Sequence, residues 1–166
     1  MINQTCTRCV MDTSDPGIIF DEQGVCDNCH TFDSVVKPNW FPDDRGKPML
    51  KSMFDKVKDH GKNREYDCIM GMSGGLDSSF LLHQAVAVHG LRPLVFHVDA
   101  GWNTELAVNN IRNLVNKLGL DLFTEVINWQ EMKDLQVAFF KSGVPHIDTP
   151  QDHAFFATMY KYASKY

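Results

Sequence analysis

Cys68-Ile69-Met70-Gly71-Met72-Ser73-Gly74-Gly75-Leu76-Asp77-Ser78-Ser79-Phe80-Leu81-Leu82 passes from one apolar run through a turn of small residues into a second apolar run. The pattern predicts a strand, a tight glycine turn and a helix. A helix N-terminus offers backbone N–H groups with no partner inside the helix, and the peptide dipoles add partial positive charge there. Such a turn can hold phosphate without a lysine. The common phosphate-loop signatures are absent: no lysine follows the glycines, and the spacing of a dinucleotide fingerprint fails. The alternative is an ordinary glycine-serine turn with Asp77 or Ser78 as a helix cap.

Working outward, strand–helix alternation continues. Apolar runs predict strands over 68–72, 93–98 and 122–127. Val108, Ile111, Val115 and Leu118 recur at helical spacing before Gly119, and a further helix is expected from Glu131 to Lys141. The last helix is expected from Ala154 to Tyr166. This is the pattern of an α/β fold with a doubly wound parallel sheet. Ligands of such sheets sit at the carboxyl ends of the strands. That places the segment Asp99-Ala100-Gly101-Trp102-Asn103 beside the glycine turn. Trp102 is a candidate to stack on a ligand, with plain packing as the alternative. His146, Asp148, Asp152 and His153 form a third polar cluster, split evenly between helix capping and function. A doubly wound sheet normally carries strands on both sides of the first one. The chain is therefore expected to be the N-terminal part of a longer protein.

The N-terminal region carries Cys6-Thr7-Arg8-Cys9 and Cys26-Asp27-Asn28-Cys29, two C-x2-C pairs sixteen residues apart. Four thiolates at this spacing suit tetrahedral zinc with no open position, a structural site. Asp15-Pro16-Gly17 and Asp21-Glu22-Gln23-Gly24 are turn signals around the short apolar Ile18-Ile19-Phe20. So few apolar residues need a staple to fold. An iron–sulfur cluster is the rival reading, and two disulfides a weaker one. Three parts are expected: a zinc knuckle over 1–36, a linker with a packing helix over 37–65, and the α/β domain over 66–166. Cys68 reads as a buried thiol on the first strand, with a sulfur-carrying role as the alternative.

Composition bounds the rest. The 166 residues are 43% hydrophobic and 22% charged, with net charge −5. That length supports one core and a small appendage. An acidic chain without a basic run argues against generic nucleic-acid binding. There is no apolar run of membrane-spanning length and no secretion signal at the start, so a cytoplasmic protein is the default expectation.

Ser73-Gly74-Gly75-Leu76-Asp77-Ser78 resembles the pyrophosphate loop of the PP-loop (ATP pyrophosphatase, adenine nucleotide alpha-hydrolase-like) superfamily. Taken with the paired C-x2-C, His97-Val98-Asp99-Ala100-Gly101-Trp102-Asn103 and Asp148-Thr149-Pro150-Gln151-Asp152-His153, the whole chain resembles the N-acetyl sugar amidotransferase family. The resemblance implies an enzyme that adenylates an acetamido carbonyl of a nucleotide-linked sugar, releasing pyrophosphate. Ammonia from a glutaminase subunit then gives an acetamidino sugar for lipopolysaccharide O-antigen or related surface glycans. It implies ATP and Mg²⁺, with Ser73, Asp77 and Ser78 catalytic. Gly74, Gly75, Leu76 and Ser79 would join them in holding the nucleotide, with Val98 and Asp99 against the adenosine. Asp99 is a candidate for the ribose or a metal, with loop capping as the alternative. Two rivals stand beside this reading: a thiolase-type tRNA-modifying PP-loop enzyme, and a module that binds nucleotide without turnover.

Overall fold

The computed structural model describes residues 3–166, whose two compact units part between Ser52 and Met53. In the first unit, Cys6 N–H donates to the Met11 carbonyl (2.8 Å) and Thr7 N–H to that of Gly24 (3.0 Å). Isolated antiparallel bridges pair Thr5 with Asp12 and Phe20 with Cys26. A short helix α1, Asp27–Thr31, follows and runs on as a π-type turn to Val36. This zinc-ribbon-like unit has almost no apolar interior of its own: its buried cluster is Cys6, Cys26 and Cys29, with Ile18, Phe20 and Val25 packed round it. Helix α2, Gly46–Gly61, runs across the division between the units.

The second unit is organised by β2, Pro93–Asp99, in which every residue before Asp99 is buried. β1, Cys68–Gly71, and β3, Leu122–Val126, pair with it in parallel, one on each side. Register sets two layers. Met70, Val95 and Leu122 form one cross-strand row, and Gly71, Phe96 and Phe123 form another on the opposite face. Over the first row lie α3, Leu76–His83, and α4, Glu105–Leu118, whose Leu82, Ile111 and Val115 close the core with Met72 and Val95. Both crossovers step the same way across the sheet, which puts both helices on one face.

Two more helices follow: α5, Trp129–Ser142, and α6, Thr149–Lys165. α6 covers the second face, stacking Tyr162 and Tyr166 on Phe123 at ring separations of 5.7 and 5.3 Å. Glu125 accepts from Tyr162 Oη (2.9 Å) and pairs with Lys161 (2.7 Å). With helices on both faces, the sheet is doubly wound as the sequence predicts.

Helix starts differ from expectation by a few residues, for local reasons. α5 begins at Trp129 because the Asn128 side chain accepts from the N–H groups of Gln130 and Glu131. α6 begins five residues before Ala154, with Pro150 in its first turn, where a missing N–H costs nothing. Its start is tied by Thr149 Oγ1 donating to the His146 carbonyl (2.9 Å).

Leu82 is wholly buried between α3 and the sheet. Leu82→Ala is expected to cost about 2–5 kcal/mol in chemical denaturation, the range for a buried leucine. A loss below about 1 kcal/mol would mean that α3 does not pack on the sheet as described.

Candidate functional site

The turn between β1 and α3 is fixed from three directions. Met72 N–H donates to the Phe96 carbonyl (2.8 Å), carrying the ladder one residue past β1. Within the turn, Ser73 Oγ and Ser78 Oγ are hydrogen-bonded (3.0 Å), and Gly75 N–H donates to Ser73 Oγ (3.3 Å). Ser79 Oγ donates to the Gly75 carbonyl (2.7 Å), closing the first turn of α3. Behind the turn, Asn110 Nδ2 of α4 donates to the Gly74 carbonyl (3.1 Å). Gly74 is buried with φ +77°, and a Cβ there would lie 2.3 Å from the Ala107 carbonyl oxygen. Only glycine meets both conditions. Leu76 and Asp77 are exposed in the first turn, where helix N–H groups lack intrahelical acceptors.

In front of the turn opens a cleft of about 400 Å³ at the carboxyl ends of β1 and β2. Met72, Ser73 and Ser78 line one side, and Phe96, His97, Val98 and Ala100 the floor. Trp102 and Asn103 come from the β2–α4 loop, and Gln151 and Phe155 from α6. Four of the residues singled out from the sequence, Ser73, Ser78, Val98 and Trp102, therefore line one cavity. Gly74 stands behind it. Gly75, Leu76, Asp77 and Ser79 complete the turn and the first helical turn above it. Asp99 caps its own loop, accepting from Gly101 N–H (2.9 Å), and borders a neighbouring groove with Asn103 and Arg112.

Trp102 takes up the packing role. It lines the cleft and packs edge-to-face on Trp129 at 5.1 Å. That approach depends on Gly101, where a Cβ would meet the Trp129 ring at 2.5 Å. From the third polar segment the cleft takes Gln151 and Phe155, while His146, Asp148, Asp152 and His153 are exposed. Sequence reasoning assigned His97 no role of its own beyond heading the His97–Asn103 segment, because it sits inside an apolar strand run. Its ring is buried, with Nδ1 on the Met72 carbonyl (2.7 Å) and Nε2 on Asn103 Nδ2 (3.0 Å). One polar residue at the carboxyl end of an otherwise apolar strand was the available signal.

Cys68 begins β1, three residues and about 10 Å of strand back from Gly71. Burial, then the Asp67 carboxylate, pushes its thiol up to about 11, so it is a protonated, weak nucleophile at neutral pH. Distance and protonation both count against a sulfur-carrying role in the cleft.

In the N-terminal unit the sulfurs of Cys6, Cys9, Cys26 and Cys29 all lie within 4.8 Å of one another, and none is in a disulfide. Cys6–Cys29 and Cys9–Cys26 are 3.9 and 3.6 Å apart. A tetrahedron with Zn–S bonds of about 2.3 Å needs sulfurs about 3.8 Å apart, so the set fits zinc. Burial pushes Cys26 and Cys29 up, the latter to about 12. At Cys6 burial acts the same way but is outweighed by N–H donors, chiefly Arg8 and Cys26, which bring it down to about 6. A bound dication would favour the thiolate at all four. His30 does not join the set; its Nε2 bonds to Asp21 (2.8 Å).

The α/β unit and its site define the class of fold, and comparison with solved structures agrees. An NMN synthetase from Francisella tularensis aligns over 75% of this chain and 52% of its own, at 19% identity and TM-score 0.54. Weaker likenesses are an NH3-dependent NAD synthetase from Campylobacter jejuni subsp. jejuni (17% identity, TM-score 0.46, 71% of this chain and 52% of that one) and an NAD+ synthetase from Burkholderia pseudomallei (14%, 0.44, 75% and 60%). The chain spans about half the length of the first two of these proteins. The fold is thus α/β with a parallel sheet, like that of the NMN synthetase, with a zinc-ribbon-like unit before it in the chain. No protein-family model and no curated protein sequence matches the chain. No helix among the described residues is long and apolar enough to cross a membrane.

Two outcomes follow from this geometry. Gly74→Ala forces both a left-handed backbone and a clash, and is expected to lower the melting temperature and quicken amide exchange at Gly75; an unaltered melting temperature would contradict the packing of the turn on α4. Metal analysis of purified protein should give one zinc per chain, with a chelator unfolding residues 3–36 selectively in amide exchange. Iron with visible absorbance would identify a cluster instead.

Proposed function

We propose that this chain carries the ATP-binding site of an ATP-dependent amidotransferase acting on the acetamido group of a nucleotide-linked sugar. The observation that supports this best is the Ser73–Ser79 turn, opening on a cleft shared with the end of β2 in a PP-loop ATPase-like fold. The likeness to a synthetase fold supports ATP use, and the cysteine pairs and the Asp-Ala-Gly-Trp-Asn segment support the sugar family.

An acetamide carbon is a poor electrophile, so its oxygen must be made a leaving group. The carbonyl oxygen attacks the α-phosphorus of ATP and the α–β phosphoanhydride bond breaks, releasing pyrophosphate. Ammonia adds to the carbon, loses a proton, and AMP departs with the former carbonyl oxygen, leaving an amidine. The N–H groups of the Gly74–Asp77 turn, with Ser73 and Ser78 hydroxyls, take up charge on the departing pyrophosphate. The exposed Asp77 carboxylate in the first turn of α3 offers a hard oxygen that would hold Mg²⁺, which would supply charge neutralisation to the leaving pyrophosphate. Val98 and Trp102 bound the adenosine, and Asp99 holds the loop that carries Trp102. Ammonia comes from a glutaminase partner. Thiolates kept reduced and ATP on hand are conditions of the cytoplasm, where this reading puts the protein. The net charge of −5 disfavours an RNA acceptor.

The test is product analysis with ATP, Mg²⁺, ammonium and a panel of nucleotide-linked acetamido sugars. AMP and pyrophosphate are expected only when an acceptor sugar is present, and Ser78→Ala should reduce turnover by about 10²-fold, the scale for one lost oxyanion donor. Nucleotide binding without product, at any acceptor, would support the module without turnover. Product with RNA in place of sugar would support the tRNA-modifying reading.

A further inference from the structure

His97 is 8% exposed, on a strand whose neighbours Leu94, Val95, Phe96 and Val98 are all buried and apolar. A buried imidazole needs a partner for each ring nitrogen, and it has both. The Met72 carbonyl can only accept, so Nδ1 carries the proton and donates to it (2.7 Å). Nε2 is then a lone pair, and it can only accept from Asn103 Nδ2 (3.0 Å). One tautomer follows from chemistry, and with it the orientation of the Asn103 amide.

The two bonds fall on the two lips of the cleft. The Met72 carbonyl belongs to the same planar, trans peptide as the Ser73 N–H, and the two point in opposite directions. Holding the carbonyl on His97 therefore turns Ser73 N–H toward Ser78 Oγ, 3.4 Å away. The ring adds one side-chain rung just beyond Met72 N–H to Phe96 O, the last backbone rung at this end. On its other edge the ring holds Asn103, four residues past Asp99 in the loop that bears Trp102.

We propose that His97 is a positioning residue: through a single Nδ1–H tautomer it ties the Ser73–Ser79 turn to the β2–α4 loop and sets the width of the cleft between them. The tautomer and the tie stand on the geometry alone. Their effect on ATP rests on the function proposed above.

The experiment uses the full chain. Ring ¹⁵N spectra should show a protonated Nδ1 and an unprotonated Nε2; the opposite tautomer or an averaged signal overturns the proposal. Two variants each keep half of the tie. His97→Asn places an amide donor where Nδ1 stood, and His97→Gln places an amide oxygen where Nε2 stood. Amide exchange at Ser73 and Gly75 should stay within about threefold of the parent in His97→Asn, and quicken about tenfold at Gly101 and Asn103, one hydrogen bond's worth. His97→Gln should show the reverse. His97→Leu should quicken both lips while Leu94 and Val95 stay protected, and weaken ATP·Mg²⁺ binding about tenfold. Unchanged lips in His97→Leu, or the same change at both lips in the Asn and Gln variants, overturn the tie. If His97→Leu fails to fold, the Asn and Gln pair decides. A parent chain that binds no ATP sinks the functional reading, and the ring spectra and exchange still decide the role of His97.

Discussion

The contact between the Gly74 backbone and the start of α4 is the constraint on which the rest of the second unit depends. A helix can come this close to a turn only where there is no side chain. It can stay there only if the turn's carbonyl has a partner, which Asn110 supplies. Once α4 is seated, Ile111 and Val115 meet Leu82 and Val95, and the core closes beneath the turn. Binding geometry and core packing are therefore one problem at this point. The turn is preorganised because the α3/α4 layer is packed.

The two units solve the problem of burial differently. The second has three strands with helices on both faces, closed round Met72, Leu82, Val95, Ile111 and Val115. The first buries chiefly sulfur, and its few apolar side chains surround the four cysteines rather than one another. Its fold is conditional on what the sulfurs bind.

Much of this was legible in the sequence, for identifiable reasons. The strand–turn–helix reading of 68–82 succeeded because one apolar run, two adjacent glycines and a second apolar run leave few alternatives. The C-x2-C pairs succeeded because ligand spacing is local. The helix stop at Gly119 was read correctly, but α6 was expected only from Ala154, five residues late, because its first turn is polar and carries a proline. The cleft was half legible. Ser73, Ser78 and Val98 belong to contiguous motifs, whereas Gln151 and Phe155 reach it only through the packing of α6 on the far face. His97 was hidden by its apolar neighbours: its role arises from Met72, twenty-five residues earlier, and no periodicity reports that.

Trp102 and Trp129 meet at the mouth of the cleft, and the remaining tryptophan of the chain, Trp40, lies in the first unit. Both indoles of the second unit thus sit just past the carboxyl ends of β2 and β3, and neither lies in its core. Intrinsic emission from this unit is an optical readout of the cleft's rim rather than of folding at large. The partly exposed Trp102 is open to quenching, and Trp129 is bound to follow any movement of the loop through Gly101. The molecule carries its own reporter where a bound molecule would first be felt.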